Sequence, residues 1–190
     1  SYLLSINQLP KRPLIAMVPA SLRSDDSNTG NNITMILANL ATHKASPLDR
    51  IAIIQRSMQN TKDRFKRMTT QQIFNYSALV YGPAGINMLS GLMPKNQAFN
   101  LVISNVPGPK EPLYWNGAQL DALYPVSIVM DGQALNITMT GYLDKLEVGL
   151  TACRQALPSM QNLLNLLEDE IQTFEQLCEI STQDELKTTA

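Results

Sequence analysis

In "ALNITMTGY", Leu135, Ile137 and Met139 alternate with Asn136, Thr138 and Thr140. This is the period-two pattern of a strand with one apolar and one polar face. After a turn at Leu143, Asp144 and Lys145, the apolar residues Leu146, Val148, Leu150 and Ala152 alternate in the same manner. The two runs form a hairpin, and the rest of the chain has to be arranged around it.

Other strands are expected in "RPLIAMVPAS", "AFNLVISNV" and "YPVSIVMD", and in "ITMILANLA", whose pattern also fits a short helix. Ser46, Pro47 and Asp49 mark a helix start: a capping serine, a proline at the first helical position and an acid near the positive end of the dipole. Leu48, Ile51, Ile54, Met58 and Phe65 continue it at helical spacing. A second helix is expected over about 69–93, kinked or broken where Gly82, Pro83, Ala84 and Gly85 interrupt it, because proline lacks the backbone donor and crowds the preceding turn. A third starts at Pro158, with Met160, Leu163, Leu167, Ile171, Phe174 and Cys178 as its apolar stripe. Tyr2, Leu3, Leu4 and Ile6 read as the tail of an amphipathic helix, as if the chain began in mid-element. Long helices among hairpin-like strands indicate an α+β fold, a two-layer sandwich of helices on one side of a mixed, mostly antiparallel sheet. One domain over residues 1–180 and a frayed tail over 181–190 are expected.

The run "LVISNVPGPKEPLYWNG" is a strand ending in a rigid crossing. Pro107 and Pro109 fix the backbone and withhold donors, and Gly108 gives freedom between them. Tyr114 and Trp115 are expected to anchor the far end by burial.

Composition narrows the function. A net charge of −1 gives no reason to expect nucleic acid. Arg56, Lys62, Arg64, Lys66 and Arg67 cluster locally, either as a solvated helix face or as a surface for an anionic ligand or lipid headgroup. Two widely separated cysteines offer neither metal spacing nor a disulfide framework, so a reducing, cytoplasmic setting is the default. No stretch approaches the roughly 20 apolar residues of a membrane span, and no signal peptide is recognisable. The single histidine, His43, lies before a helix cap without a supporting motif, and no phosphate loop or metal-ligand cluster is present. A complete hydrolase or transferase within this chain alone is not expected.

Three features remain. The polar row Asn136, Thr138 and Thr140 either lines a hydrated channel or is an ordinary solvent face. Gly82, Ala84 and Gly85 strip bulk from one stretch of helix, for a slender apolar ligand or for close backbone packing. Asp131, at the turn with Gly132, is a candidate functional carboxylate.

"NLVISNVPGPKEPLYWNGAQLDALYPVSIVMDGQALNITMTGYLDKLEVGLTACRQALP", with "KRPLIAMVPASLR" and "ITMILANLATHKASPLDRI", closely resembles the C-terminal half of the bacterial, Acinetobacter-type bifunctional wax ester synthase / diacylglycerol O-acyltransferases. The resemblance runs over essentially the whole chain. It implies a chloramphenicol acetyltransferase-like half, which in such enzymes faces a similar N-terminal half across a tunnel. A fatty acyl group passes there from acyl-CoA to a long-chain alcohol or diacylglycerol, with acyl-CoA as substrate and no cofactor. The base is the second histidine of an HHxxxDG motif in the N-terminal half. This chain has no such motif, so no catalytic residue carries over to it.

What the resemblance implies for this chain is tunnel wall. Ser104, Asn105, Val106, Pro107 and Gly108 match the family's SNVPGP segment, with Asp131, Asn136, Thr138 and Thr140 bordering the same cavity and Gly82, Ala84 and Gly85 shaping the acceptor pocket. The implied partners are the N-terminal half, acyl-CoA, and fatty alcohol or diacylglycerol, with peripheral contact at the inner membrane or lipid inclusions. A non-catalytic lipid- or protein-binding domain of the same fold is the alternative.

Overall fold

A computed structural model describes residues 2–21, 33–90 and 97–188; the side chains of Ala84, Met88, Leu89 and residues 179–188 fall outside that description. The elements run α1 (Tyr2–Ser5), β1 (Ile15–Ser21), β2 (Ile33–Asn39), α2 (Pro47–Lys66), α3 (Thr70–Ser90), β3 (Leu101–Val106), β4 (Tyr114–Trp115), β5 (Ala118–Gln119), β6 (Leu135–Tyr142), β7 (Lys145–Ala152) and α4 (Gln161–Thr188).

Five strands form one mixed sheet in the order β2-β1-β3-β6-β7. The outer pairs, β1 with β2 and β6 with β7, are antiparallel and have the longer ladders, while β3 is parallel to both β1 and β6. The hairpin is as expected, with a tighter turn: Tyr142 pairs with Lys145, leaving Leu143 and Asp144 as the loop. Leu143 takes a φ of 55°, unusual for a branched residue.

Alternation sorts the sheet into two faces. Leu101, Ile103, Leu135, Ile137 and Met139 share a face with Ala16, Ala38 and Ile36, by register. Helices cover this face. Ile36, Phe65 of α2 and Ile73 of α3 form a buried cluster, with Val18, Met58 and Tyr76 packed against it. α4 lies over β6 and β7, where Leu163, Leu166, Leu167 and Ile171 border Ile137, Met139 and Val148. An ion pair at 3.6 Å, Arg50 to Glu170, links α2 to α4.

The start of α2 follows its sequence signal: Ser46 caps it, accepting from the Asp49 amide at 3.3 Å, with Pro47 next. The start of α3 is a reciprocal cap. The Thr69 amide donates to Gln72 Oε1 and the Gln72 amide to Thr69 Oγ1, the two-way arrangement of a capping box.

Three expectations change. α3 is not broken at residues 82–85 but passes through Pro83. Proline normally pushes the preceding residue out of the helical region by crowding its Cβ, and the residue before Pro83 is Gly82, which has none. "YPVSIVMD" is not a strand, because residues 120–130 carry no ladder. Pro125 cannot donate, and the segment is attached by side chains instead. Finally, Tyr114 and Trp115 are not buried: Trp115 is 86% exposed on the small β4–β5 ribbon. α4 begins at Gln161, a few residues after Pro158.

Candidate functional site

The face of β6 turned away from the helices carries Asn136, Thr138, Thr140 and Tyr142. It is neither a solvent face nor an open channel wall within this chain. Residues 107–134 fold back across it, and Thr138 and Thr140 are buried beneath them. Thr138 Oγ1 is the junction. It accepts from Ser104 Oγ at 3.2 Å, contacts Ser127 Oγ, and donates to Asn136 Oδ1 at 3.3 Å. Asn136 Nδ2 donates to the Ile128 carbonyl at 2.9 Å, and Thr140 Oγ1 to the Val106 carbonyl at 3.0 Å. The polar row therefore stitches the crossing to the sheet, which supplies the hydrogen bonds that an unpaired segment lacks.

The far anchor is Tyr142, 1% exposed. Its hydroxyl accepts from the Leu113 amide at 3.1 Å and donates to the Leu120 carbonyl at 2.9 Å, holding both ends of the β4–β5 ribbon. Sequence reading overlooked it in favour of the nearby aromatic pair, although its place as the fourth even-numbered residue of β6 put it on this face.

Glycine sets how closely the crossing lies. A Cβ on Gly108 would run into the Gly141 carbonyl, so the VPGP turn rests directly on β6. Pro125 approaches Gly149 in the same way. Gly132 has a φ of 81° and faces the Gln97 side chain, so the turn with Asp131 is fixed by backbone conformation and by space. Asp131 itself is exposed.

With its polar atoms turned inward, the crossing presents an apolar outer surface. Tyr124, Val126, Ile128 and Trp115 are exposed, Val126 to 88%, as are Val106 and Pro107 at the point where it leaves β3; Asn105, also exposed, lies by register on the face of Met139 instead. So many large apolar side chains left exposed on one segment are uncommon on a free surface.

A second open feature lies at the β2 edge. A groove of about 550 Å³ runs between β2 and α3, lined by Ile33, Met35, Ile73, Phe74, Tyr81 and Gly82 among others. Thr34 Oγ1 and Ser77 Oγ beside it are buried without partners. Tyr81 donates to the Met35 carbonyl at 2.8 Å, and burial, then the neighbouring Tyr76, holds its phenol above its ordinary pKa. Among the described residues, nothing stands within 4 Å of a Cβ built on Gly82 or Gly85, so these glycines leave open space there. Gly82 borders the groove and Gly85 lies one turn on; Ala84 sits in the same helix, its side chain outside the described residues.

Of the expected site residues, then, Ser104, Asn136, Thr138, Thr140 and Gly108 come together under the crossing, Asn105, Val106 and Pro107 are exposed at its start, and Gly82 belongs to a separate groove. His43 is exposed in the turn before α2. In the basic cluster, Arg64 reaches Tyr76, donating to its hydroxyl at 3.0 Å, and Lys66 lies 3.6 Å from Asp63. Among the described residues, no helix is long and apolar enough to cross a membrane.

Residues 29–175 match the family described as the WS/DGAT C-terminal domain. The chain belongs to this family. An O-acyltransferase WSD of Acinetobacter baylyi is 73% identical over 99% of the chain, and a putative diacylglycerol O-acyltransferase of Mycobacterium tuberculosis is 45% identical over 92%. A solved wax ester synthase/diacylglycerol acyltransferase from Marinobacter aquaeolei VT8 superposes with a TM-score of 0.77 at 46% identity, covering 88% of the chain. The chain spans only 41%, 39% and 38% of these proteins, respectively. This WS/DGAT domain is thus a mixed five-stranded sheet backed by helices on one face, as the α+β reading anticipated, and strapped on the other, which it did not.

Proposed function

We propose that this chain is one wall of a two-part O-acyltransferase, in which a fatty acyl group moves from acyl-CoA to a long-chain alcohol or to diacylglycerol. The observation that carries this reading is the apolar outer surface of residues 107–134 in a chain so close in sequence to an O-acyltransferase more than twice its length. The partner of that surface is an N-terminal half bearing the HHxxxDG histidine. That histidine takes the proton of the acceptor hydroxyl as its oxygen attacks the thioester carbonyl, and CoA leaves as the thiol.

In this scheme Asn105, Val106 and Pro107 border the tunnel, and Asp131 flanks it at its exposed turn. Ser104, Asn136, Thr138, Thr140 and Gly108 act from behind by fixing the strap in place. The α3–β2 groove takes the alkyl chain of the acceptor, with Gly82 and Gly85 as wall without bulk and Ala84 between them. Peripheral contact with a membrane or lipid inclusion belongs to the same proposal, supported by the exposed Arg56, Lys62 and Arg67.

Radiolabelled hexadecanoyl-CoA, supplied to the full-length gene product with hexadecanol or with dihexadecanoylglycerol, tests the proposal. Labelled wax ester or triacylglycerol is expected, and no turnover from residues 1–190 alone. Absence of ester with both acceptors, or ester made by the isolated chain, would refute it.

A further inference from the structure

The sheet has two edges, and they end differently. At β2 the outer backbone groups are already engaged by side chains: the Met35 carbonyl accepts from Tyr81 at 2.8 Å, and the Asn39 amide donates to Ser57 Oγ at 3.1 Å. β7 is the other edge. The Cys153 amide donates to the Ala134 carbonyl, which fixes the phase of the β6–β7 ladder. Odd-numbered residues of β7 turn their backbone groups to β6, and Leu146, Val148, Leu150 and Ala152 turn theirs away. Among the described residues, no hydrogen bond reaches those outward groups.

This edge is not blunted. Its register with β6 is unbroken over 8 residues, and "KLEVGLTA" contains no proline. Natural sheets guard a free edge with prolines, bulges or charges, and a long edge without them pairs readily with another chain. The two charged residues, Lys145 and Glu147, are odd-numbered and stand on the strap side, so every outward position is apolar. On the helix side Leu146, Val148 and Leu150 line a groove of about 370 Å³ with Leu167 and Ile171 of α4, and Leu146 is 59% exposed. Whatever pairs with β7 is therefore extended, and it brings apolar side chains to that side.

A second copy of β7 meets both needs. Two copies paired antiparallel about a twofold axis place residue i opposite j and j opposite i, and only the even-numbered residues can exchange hydrogen bonds. Two registers do this while overlapping most of the strand. One centres on Val148 and sets no charge against its opposite. The other centres on Gly149. It puts Val148 opposite Leu150 and Leu146 opposite the small Ala152, and it brings the exposed Asp144 of each copy to the exposed Arg154 of the other. Like charges do not meet, because Lys145 faces Cys153 and Glu147 faces Thr151. We infer that two copies join edge to edge through β7 in the Gly149-centred register, making one continuous sheet across the pair. The edge lies at the opposite end of the sheet from the α3–β2 groove, and its pairing needs no catalytic group, so the inference does not rest on the acyl-transfer reading.

A designed disulfide tests the register. Across this pairing Lys145 and Cys153 form a non-hydrogen-bonded pair, with Cα atoms about 4.5 Å apart and within reach of a disulfide. Cys153 is free and exposed. Under mild oxidation, the full-length protein carrying Lys145→Cys should form a covalent dimer on non-reducing gels. Mass spectrometry should find the link between positions 145 and 153, and Cys153→Ser should abolish it. Within one copy these positions lie at opposite ends of β7 and cannot join. Sedimentation velocity supplies an independent reading. Arg154→Glu sets like charges together and should weaken the dimer by about tenfold, and adding Asp144→Lys to it should restore the affinity, since the two charges are then exchanged. Such a rescue requires that both residues meet across two copies. A monomeric full-length protein at micromolar concentration, no link between 145 and 153, a link from 145 to a cysteine elsewhere in the protein, or a dimer indifferent to Arg154→Glu would each overturn the inference.

Discussion

α2 and α3 are nearly equal in length, 20 and 21 residues, and follow one another directly, yet they are built on different plans. α2 is charged outside and apolar inside. It sends Phe65 into the core and keeps Arg56, Lys62 and Lys66 in solvent. α3 has no charged residue anywhere in "TQQIFNYSALVYGPAGINMLS". It buries Ile73 near its start and then exposes Phe74, Leu79, Val80 and Ile86. A helix apolar around its circumference belongs in an interior. The lesson is that α2 is finished by this chain, whereas α3 is half finished by it.

Substitutions can break or sharpen that contrast. The largest effect is expected for Phe65→Ala, which should cost about 3–5 kcal/mol in urea unfolding because it opens a cavity in the cluster with Ile36 and Ile73. Loss of less than about 1 kcal/mol would mean that α2 is not the fixed helix of the pair. For α3 the double change Leu79→Lys with Ile86→Lys separates two settings. In the isolated chain both sites are exposed, and stability should move by no more than about 0.5 kcal/mol per site. If α3 is enclosed in the full-length protein as proposed, ester formation there should fall by about a hundredfold, as for burying unpaired charge. Equal behaviour in the two settings would erase the contrast.

Gly85→Leu sharpens it further. There is open space where the side chain would go, so the fold should persist, while the full-length protein's preference between hexadecanol and decanol should shift by about tenfold toward the shorter alcohol. Ser46→Ala should cost α2 about 1 kcal/mol by removing its cap, visible in the same urea series. The smallest effect concerns Tyr81. Its phenol is raised above the ordinary value near 10 in the folded chain. The unfolded chain therefore loses that proton first, and stability is full below about pH 10 and declines above it. Tyr81→Phe should flatten this alkaline slope in thermal melts between pH 9 and 11.

Legibility in the sequence followed the range of the interaction. The β6–β7 hairpin and the start of α2 rest on neighbours in the chain, and period, cap and proline made both readable. The VPGP turn was readable as a stiff exit from β3. Its destination was not, because the strap is fixed by side chains such as Thr138 and Ser127 rather than by a ladder, and no periodicity records such contacts. The strand expected in "YPVSIVMD" did not form, because apolar, β-branched composition alone does not supply a pairing partner. At Pro83 the helix continues rather than breaks, and the glycine before the proline relieves one of its clashes, that with the preceding Cβ. The WS/DGAT resemblance located the candidate wall; only the fold divided its residues into those that face outward and those that hold the strap from behind.

The place of β3 has a kinetic consequence. It sits at the centre of the sheet between β1 and β6, parallel to both. Each of those pairings closes a long stretch of chain, through α2 and α3 on one side and through the strap on the other. Loop closure of this kind has to be completed before the contacts reward it, so the β6–β7 hairpin and the helices form early and the middle of the sheet forms late. During synthesis β3 emerges well before its partner β6, and the edge it offers to β6 waits unpaired until that strand has left the ribosome. The central strand of the sheet thus leaves the ribosome with one edge still open to the wrong neighbour.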